Sequence, residues 1–183
     1  KSRAKLGLKA DGTITAILAE MTADLGAHLS TGAPGSGTVS VTRSIHGLYA
    51  IPNICLVATG VFTNTAPVDA YRGAGKPEGN YLVERLIDEA ARKFGFDPIA
   101  IRLQNAIREF PYMTPLGFEV DSGDFVGTIE SAAKLADRDG FAGRRDASQA
   151  NGKLRGQGFS CFLESARGAP TEGAEIRFTD DGM

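Results

Sequence analysis

Apolar residues recur every three or four positions between residues 77 and 94, and this spacing predicts an amphipathic helix. The apolar positions are Tyr81, Leu82, Leu86, Ile87, Ala90, Ala91 and Phe94. Gly95 is expected to end this helix. Asp97 and Pro98 then predict the N-cap and the first turn of a second helix.

The charged residues of the first helix are expected to form a solvated face, with ion pairs between residues three or four positions apart. They are Glu84, Arg85, Asp88, Glu89 and Arg92. On this interpretation none of them is a candidate for catalysis.

Alternating apolar and polar residues predict strands near the start, the middle and the end of the chain. Residues 4–8 and 13–25 flank an Asp-Gly turn, which indicates a β-hairpin. Residues 54–62 are apolar on both faces, as expected of a strand inside a sheet or between layers. Residues 154–163 and 174–178 are predicted to be two further strands.

Helices and loops complete the predicted fold. Residues 38–48 form a short helix or an irregular segment. Asp121 or Asp124 is expected to cap a third helix, and another helix is expected over residues 141–150. Strands followed by helices, without regular β-α-β alternation, predict an α+β layered domain of antiparallel or mixed strands with packed helices.

The composition is ordinary for a soluble globular protein, with 42% hydrophobic residues and a formal net charge of −2. Charges of both signs are mixed along the chain, so nucleic acid is not an expected partner. No apolar stretch approaches the roughly 20 residues that a bilayer requires, so no membrane association is expected. Cys55 and Cys161 lie in apolar runs and are interpreted as buried free thiols rather than as a disulfide or a metal pair, which fits a reducing compartment.

The strongest candidate chemistry lies in the loop before the first helix, where Arg72 precedes Gly73, Ala74 and Gly75. Glycines let backbone N–H groups come close to a ligand, and Arg72 provides a planar cation suited to phosphate or an anionic oxygen. The spacing fits neither a Walker loop nor a Rossmann fingerprint. The spacing alone fits equally well a strand-to-helix turn in which Arg72 makes a surface ion pair.

Residues 63–78, which read TNTAPVDAYRGAGKPE, closely resemble the molybdenum-binding large subunit of the xanthine dehydrogenase, aldehyde oxidase and carbon monoxide dehydrogenase family. The segment ERLIDEAAR at residues 84–92 fits the same pattern. The resemblance extends from the Asp-Gly turn to the GAEIRF segment at residues 173–178. It implies that residues 1–183 are part of the first molybdopterin-binding domain of a larger subunit.

This resemblance implies a molybdopterin cofactor, in bacteria usually as the cytosine dinucleotide, and hydroxylation of a substrate carbon with oxygen from water. It also implies that electrons pass to 2Fe–2S clusters and FAD on partner subunits or domains, in a cytoplasmic complex that is a dimer of heterotrimers. Tyr71, Arg72, Gly73, Ala74 and Gly75 match the family's cofactor-facing loop and are the expected cofactor-binding residues. No catalytic residue and no metal ligand is expected in this chain.

Two departures from the family pattern narrow the expected substrate. Gly73 stands where carbon monoxide dehydrogenases carry the cysteine that bridges copper to molybdenum, which argues against oxidation of carbon monoxide. Ala74 stands where xanthine-type enzymes have a phenylalanine that packs on the substrate, which argues against purines. An aldehyde, or a small N-heterocycle other than a purine, remains the expected substrate.

Several motifs of the family do not occur in this chain, including its Gly-Gly-Phe-Gly segment and its C-terminal glutamate base. The chain is therefore expected to be a fragment that is inactive by itself, because catalysis needs that base. Gly156, Gln157 and Gly158 copy a pterin-contacting triplet but occur in a different context, so they are interpreted as structural. The alternative hypothesis is a stand-alone anion-binding or assembly module without redox activity.

Overall fold

The computed structural model describes residues 1–164 and 173–181. Its first layer is a three-stranded sheet of β1 (Ser2–Leu8), β2 (Ile14–Asp24) and β3 (Ile54–Val61), in that order. β1 and β2 form the predicted antiparallel hairpin, and β2 pairs with β3 in parallel.

The connection from β2 to β3 contains two short helical segments, α1 (Ala33–Ser36) and a 3-10 helix (Val39–Arg43). Of the two alternatives for residues 38–48, a short helix or an irregular segment, the structure has a short helix over Val39–Arg43 only. Val41 and residues 44–49 are buried, so the second part of this connection belongs to the packed interior, whereas residues 27–29 are exposed.

Four longer helices follow the sheet: α2 (Lys76–Phe94), α3 (Pro98–Asn105), α4 (Phe125–Leu135) and α5 (Phe141–Ala150). Their ends confirm the predicted caps. Gly95 ends α2 with a left-handed φ of 76°. The side chain of Asp97 accepts a hydrogen bond from the backbone N–H of Ile99 at 2.8 Å, and Asp124 caps α4 by accepting from Gly127 at 2.8 Å.

The hydrophobic core lies between the sheet and α2. Its largest fully buried apolar side chains are Ile14, Ile17, Val41, Ile45, Tyr49, Ile51, Val83, Ile87, Ile107 and Ile129.

A small hairpin of β4 (Tyr112–Met113) and β5 (Glu119–Val120) joins α3 to α4. This mixed sheet with packed helices confirms the predicted α+β layered domain. No helix within the described ranges is long and apolar enough to cross a membrane.

The outer face of β3 is exposed, so the prediction of a strand buried on both faces was wrong. Cys55, Val57 and Thr59 all lie on this face, and Val57 is 53% exposed. Within the described part of the chain β3 is an edge strand that pairs only with β2. The prediction that Cys55 is a buried thiol was therefore also wrong, whereas Cys161 is buried as predicted.

Residues 154–163 and 174–178, which were predicted to be strands, do not form strands in the structure. A strand needs a neighbour whose N–H and C=O groups complete the ladder, and neither segment has one among residues 1–164 and 173–181. Hydrogen bonds to distant helices hold the first segment instead: the side chain of Gln157 donates to the carbonyl of Ala136 at 3.1 Å, and the backbone N–H of Cys161 donates to Glu84 at 2.9 Å.

Glu84 is buried, so its assignment to the solvated face of α2 was wrong. Its carboxylate accepts hydrogen bonds from Arg102 Nε at 2.9 Å and Nη2 at 2.8 Å, from the Tyr49 hydroxyl, and from the backbone N–H of Cys161 at 2.9 Å. Arg102 is fully buried and also donates to Asp88 at 2.8 Å. α3 folds back across α2, and a cation buried between the two helices needs a carboxylate beside it. Burial and the charge of Glu84 raise the pKa of Tyr49, so its hydroxyl remains a donor.

We expect Glu84→Gln to lower the free energy of unfolding by about 3 to 5 kcal/mol, because Arg102 would remain buried without its principal carboxylate. Urea denaturation measures the change. Glu89→Gln is the matched control, since Glu89 lies on the same helix and pairs with Arg85 and Arg92 at an exposed position. Equal midpoints for the two variants would contradict a central role for the buried pair.

Candidate functional site

The Arg72 loop, defined as residues 71–75, lies between β3 and α2. Two hydrogen bonds shape it, from Ala74 N to the Tyr71 carbonyl at 2.8 Å and from Lys76 N to the Gly73 carbonyl at 3.0 Å. Gly73 and Gly75 have φ values of 98° and 83°, a region that L side chains rarely adopt. The two glycines therefore permit a turn that few other residues would form at these positions.

The Arg72 loop presents backbone N–H groups that no protein group accepts. Gly75 is the N-cap of α2, and no side chain caps this helix. Among the described residues, the N–H groups of Gly73 and Gly75 donate to no protein acceptor. These two N–H groups lie directly before a 19-residue helix, and donors near a helix N-terminus favour a negatively charged ligand.

Arg72 is exposed, and its guanidinium has no ion pair or hydrogen bond with any other residue of the described ranges. The alternative in which Arg72 makes a surface ion pair does not fit this arrangement. The cation is thus available to an anion from outside the chain, in the planar geometry that suits two oxygens at once.

A cleft of about 690 Å³ lies beside the Arg72 loop, between the sheet and the outer side of α2. Met21 of β2 and Leu82 and Leu86 of α2 give part of its lining an apolar character. Tyr71 and Tyr81 also line it, and both are strongly exposed. The cleft therefore combines the Arg72 cation with an apolar wall, as small-molecule sites commonly do, and Asp24, Asp69, Glu78 and Glu89 also line it.

The two glycines of the loop face different surroundings. A Cβ placed on Gly73 would meet no atom within 4 Å, so this position opens into free space. A Cβ on Gly75 would overlap the side chain of Ser40 and lie 2.7 Å from the Ser36 carbonyl oxygen. Gly73 thus leaves room for a ligand, while Gly75 leaves room for the segment behind the loop.

The donors of this site suit an anion rather than a bare metal ion. In the part of the chain that the structure describes, no three His, Cys, Asp or Glu side chains come together as a metal site. The Arg72 loop offers a guanidinium and N–H groups, and these bind oxygen atoms that carry negative charge.

The model of the molybdopterin cofactor-binding domain family matches residues 1–106 of this chain, which is more than half of it. The chain belongs to this family. Its relatives place it among the molybdenum hydroxylase large subunits.

Two relatives and one solved structure illustrate this membership. The nicotine 6-hydroxylase large subunit of Paenarthrobacter nicotinovorans is 37% identical over 129 residues, which are 70% of this chain and 16% of that protein. The carbon monoxide dehydrogenase large chain of Hydrogenophaga pseudoflava is 32% identical over 179 residues, 94% of this chain and 22% of that one. The crystal structure of quinoline 2-oxidoreductase from Pseudomonas putida 86 matches with a TM-score of 0.75 and 29% identity, over 82% of this chain and 20% of that one. The chain thus spans about a fifth of the length of these relatives.

The five residues that the sequence predicts to bind the cofactor all line the cleft beside the Arg72 loop: Tyr71, Arg72, Gly73, Ala74 and Gly75. Gln157 and Gly158 lie elsewhere, beside a second cleft that includes Arg92 and Phe159. A Cβ on Gly158 would meet nothing within 4 Å, so this triplet shows no close packing of its own.

Sequence reasoning missed the segment that supports the Arg72 loop from behind. We call Ser36, Ser40 and Ser44 the serine wall. Ser36 and Ser44 are buried, and Ser44 Oγ lies 3.4 Å from the Gly75 carbonyl oxygen. The spacing of four residues between these small side chains was a signal in the sequence, but it lay in a stretch of weak helical pattern.

His46 follows the serine wall and was also missed. It is 2% exposed, and its Nδ1 has no hydrogen-bond partner among the residues described. Burial lowers the pKa of His46 below its ordinary value, although backbone contacts with Gly47 and Arg43 act in the opposite direction. His46 is therefore neutral in the folded protein at neutral pH.

We expect the free energy of unfolding to fall as the pH drops below about 6.5, by up to about 1.4 kcal/mol per pH unit from His46. The unfolded chain takes up a proton there that buried His46 does not accept, so low pH favours unfolding until the folded His46 pKa is reached. Urea denaturation between about pH 7 and pH 5 measures the slope.

His46→Gln should reduce this slope, whatever its stability at neutral pH. His28→Gln should leave it unchanged, because His28 is exposed. Identical slopes for the wild type and His46→Gln would show that His46 does not set this dependence.

Proposed function

We propose that this chain forms the molybdopterin-holding wall of a molybdenum hydroxylase large subunit, with Tyr71, Arg72, Gly73, Ala74 and Gly75 as the cofactor-contacting residues. One observation carries the proposal. Arg72 with its free guanidinium, and Gly73 and Gly75 with their free N–H groups, all line one cleft, and Gly73 opens into free space.

The residues of the Arg72 loop fit this cofactor. Arg72 pairs with a phosphate or another anionic oxygen through two parallel hydrogen bonds. The N–H groups of Gly73 and Gly75 and the N-terminus of α2 add to the attraction for negative charge. Gly73 has no side chain, so the ligand approaches the backbone directly.

When bound, the cofactor supplies a metal centre for two-electron oxidation, which no side chain in the cleft provides. The residues of this chain bind the cofactor and orient it. Arg72 fixes the anionic end, and Met21, Leu82 and Leu86 keep water away from the apolar wall.

We infer that the reaction is hydroxylation of an aldehyde or an N-heterocycle with oxygen from water. Two relatives support the second class, since their names refer to nicotine and quinoline, which both contain a flat, nitrogen-containing aromatic ring. Gly73 and Ala74 have no large side chain that would project into the cleft. The apolar lining of the cleft suits an uncharged ring.

The proposal extends to the rest of the complex. The cofactor is the cytosine dinucleotide form, and the electrons leave through 2Fe–2S clusters and FAD on partner subunits or domains. The parent assembly is a dimer of heterotrimers. The names of the relatives, which are large subunits or large chains, support the presence of partner subunits.

We expect Arg72→Lys in the full-length parent protein to lower turnover by about one to three orders of magnitude, because a planar charged donor is lost from the site. The fold should survive, since Arg72 is exposed and unpaired in the described structure. Steady-state assays with aldehydes and N-heterocycles measure the change, with molybdenum and pterin content determined on the same samples.

Arg92→Lys is the control for that variant, because Arg92 is an exposed arginine of α2 that pairs with Glu89 and does not line the Arg72 cleft. It should retain normal turnover. Normal turnover of Arg72→Lys at full cofactor content would leave Arg72 as an ordinary surface residue and remove the main support for this function.

The 183-residue chain alone should show no oxidoreductase activity after incubation with cofactor, because the glutamate base expected from the family resemblance is not among its residues. An assay with aldehydes, hypoxanthine, carbon monoxide and a dye acceptor tests this. Sustained turnover by the isolated chain would contradict the assignment. Binding of phosphate without turnover by any longer form would favour an anion-binding module instead.

A further inference from the structure

We propose that Gly79 is a positioning residue for the Arg72 loop. Because Gly79 has no side chain, α2 packs directly against the connection between β2 and β3, and this contact fixes the position of the loop beside the cleft. The identity of the ligand rests on the proposed function. The contact itself does not depend on that identity.

Gly79 is the point of closest approach between α2 and this connection. A Cβ on Gly79 would overlap the hydroxyl of Ser44. It would also lie 3.0 Å from the backbone nitrogen of Ile45 and 3.1 Å from the carbonyl oxygen of Val41. Two of these three neighbours are backbone atoms, so a rotamer change alone cannot make room for a methyl group.

Gly75 repeats the same contact one helical turn earlier. It faces Ser36 and Ser40 as Gly79 faces Ser44, so two glycines four residues apart meet the serine wall. The hydroxyl of Ser44 lies 3.3 Å from the Val41 carbonyl oxygen and 3.4 Å from that of Gly75, and thus touches both sides of the contact. The serine wall therefore supports the first turn of α2 along its whole length.

The body of α2 cannot adjust freely if this contact changes. Glu84, five residues beyond Gly79, is fixed by Arg102, Tyr49 and the backbone of Cys161. A displacement at Gly79 must therefore move the first turn of α2 and the Arg72 loop rather than the whole helix.

The choice of glycine at residue 79 supports a specific need for space. Gly79 has an ordinary helical φ, since it is not among the glycines with positive φ. Inside a helix, glycine is less favourable than any residue except proline. Gly75 needs its positive φ as well as its space, so Gly79 offers the cleaner test of packing.

The test compares Gly79→Ala with Gly143→Ala in the full-length protein. Gly143 lies inside α5, and a Cβ there would meet nothing within 4 Å. Hydrogen–deuterium exchange of the Ala74 and Lys76 amides reports the Arg72 loop, because both amides donate hydrogen bonds within it. Molybdenum and pterin content report cofactor binding independently of activity.

We expect Gly79→Ala to speed exchange of these two amides by about tenfold and to lower cofactor content at limiting cofactor by a similar factor. Gly143→Ala should leave both unchanged. Gly79→Ala combined with Ser44→Ala should recover part of each loss, because the overlapping hydroxyl is gone while the Ile45 and Val41 backbone contacts remain.

Each outcome decides between named alternatives. A lower melting temperature for Gly79→Ala with unchanged loop exchange and cofactor content would overturn the positioning role and leave only a structural one. Faster loop exchange in a protein that binds no molybdopterin in any variant would uphold the positioning role and refute the proposed function. No recovery in the double variant would overturn the specific contact with Ser44.

Discussion

The buried carboxylate of Glu84 is the interaction on which the arrangement of this fold depends. It receives hydrogen bonds from α3 through Arg102, from the segment before β3 through Tyr49, and from the segment after α5 through Cys161. A buried cation without its carboxylate is strongly disfavoured, so these elements are obliged to meet on one side of α2. The fixed position of α2 also affects the candidate site, because the Arg72 loop directly precedes this helix.

The candidate site follows from how α2 begins. Its N-cap is a glycine without a capping side chain, and the N–H groups of Gly73 and Gly75 donate to no acceptor among the described residues. Gly73 opens the backbone to the cleft, and Arg72 adds a cation that no described residue neutralises. The chain belongs to the molybdopterin cofactor-binding domain family, and we propose that these donors contact that cofactor.

Sequence patterns predicted the features that depend on neighbouring residues. The periodicity of α2, its end at Gly95 and the Asp97 and Asp124 caps are local, and so is the glycine-rich turn of the Arg72 loop. Burial of Glu84 could not be predicted, because a charged residue on an amphipathic helix looks the same whether the next helix covers it or not. The strands expected at residues 154–163 and 174–178 failed for a related reason, since a ladder requires a partner that is distant in sequence. The serine wall was missed because small side chains carry no hydrophobic period.

The most direct measurement is an experimental structure of the full-length protein with its cofactor bound. We expect oxygen atoms of the cofactor at hydrogen-bond distance, about 3 Å, from the Arg72 guanidinium and the Gly73 N–H. We also expect Gly79 to stay in contact with Ser44 in that structure. A cofactor that binds elsewhere, with residues 71–75 touching only protein or solvent, would contradict the central claim.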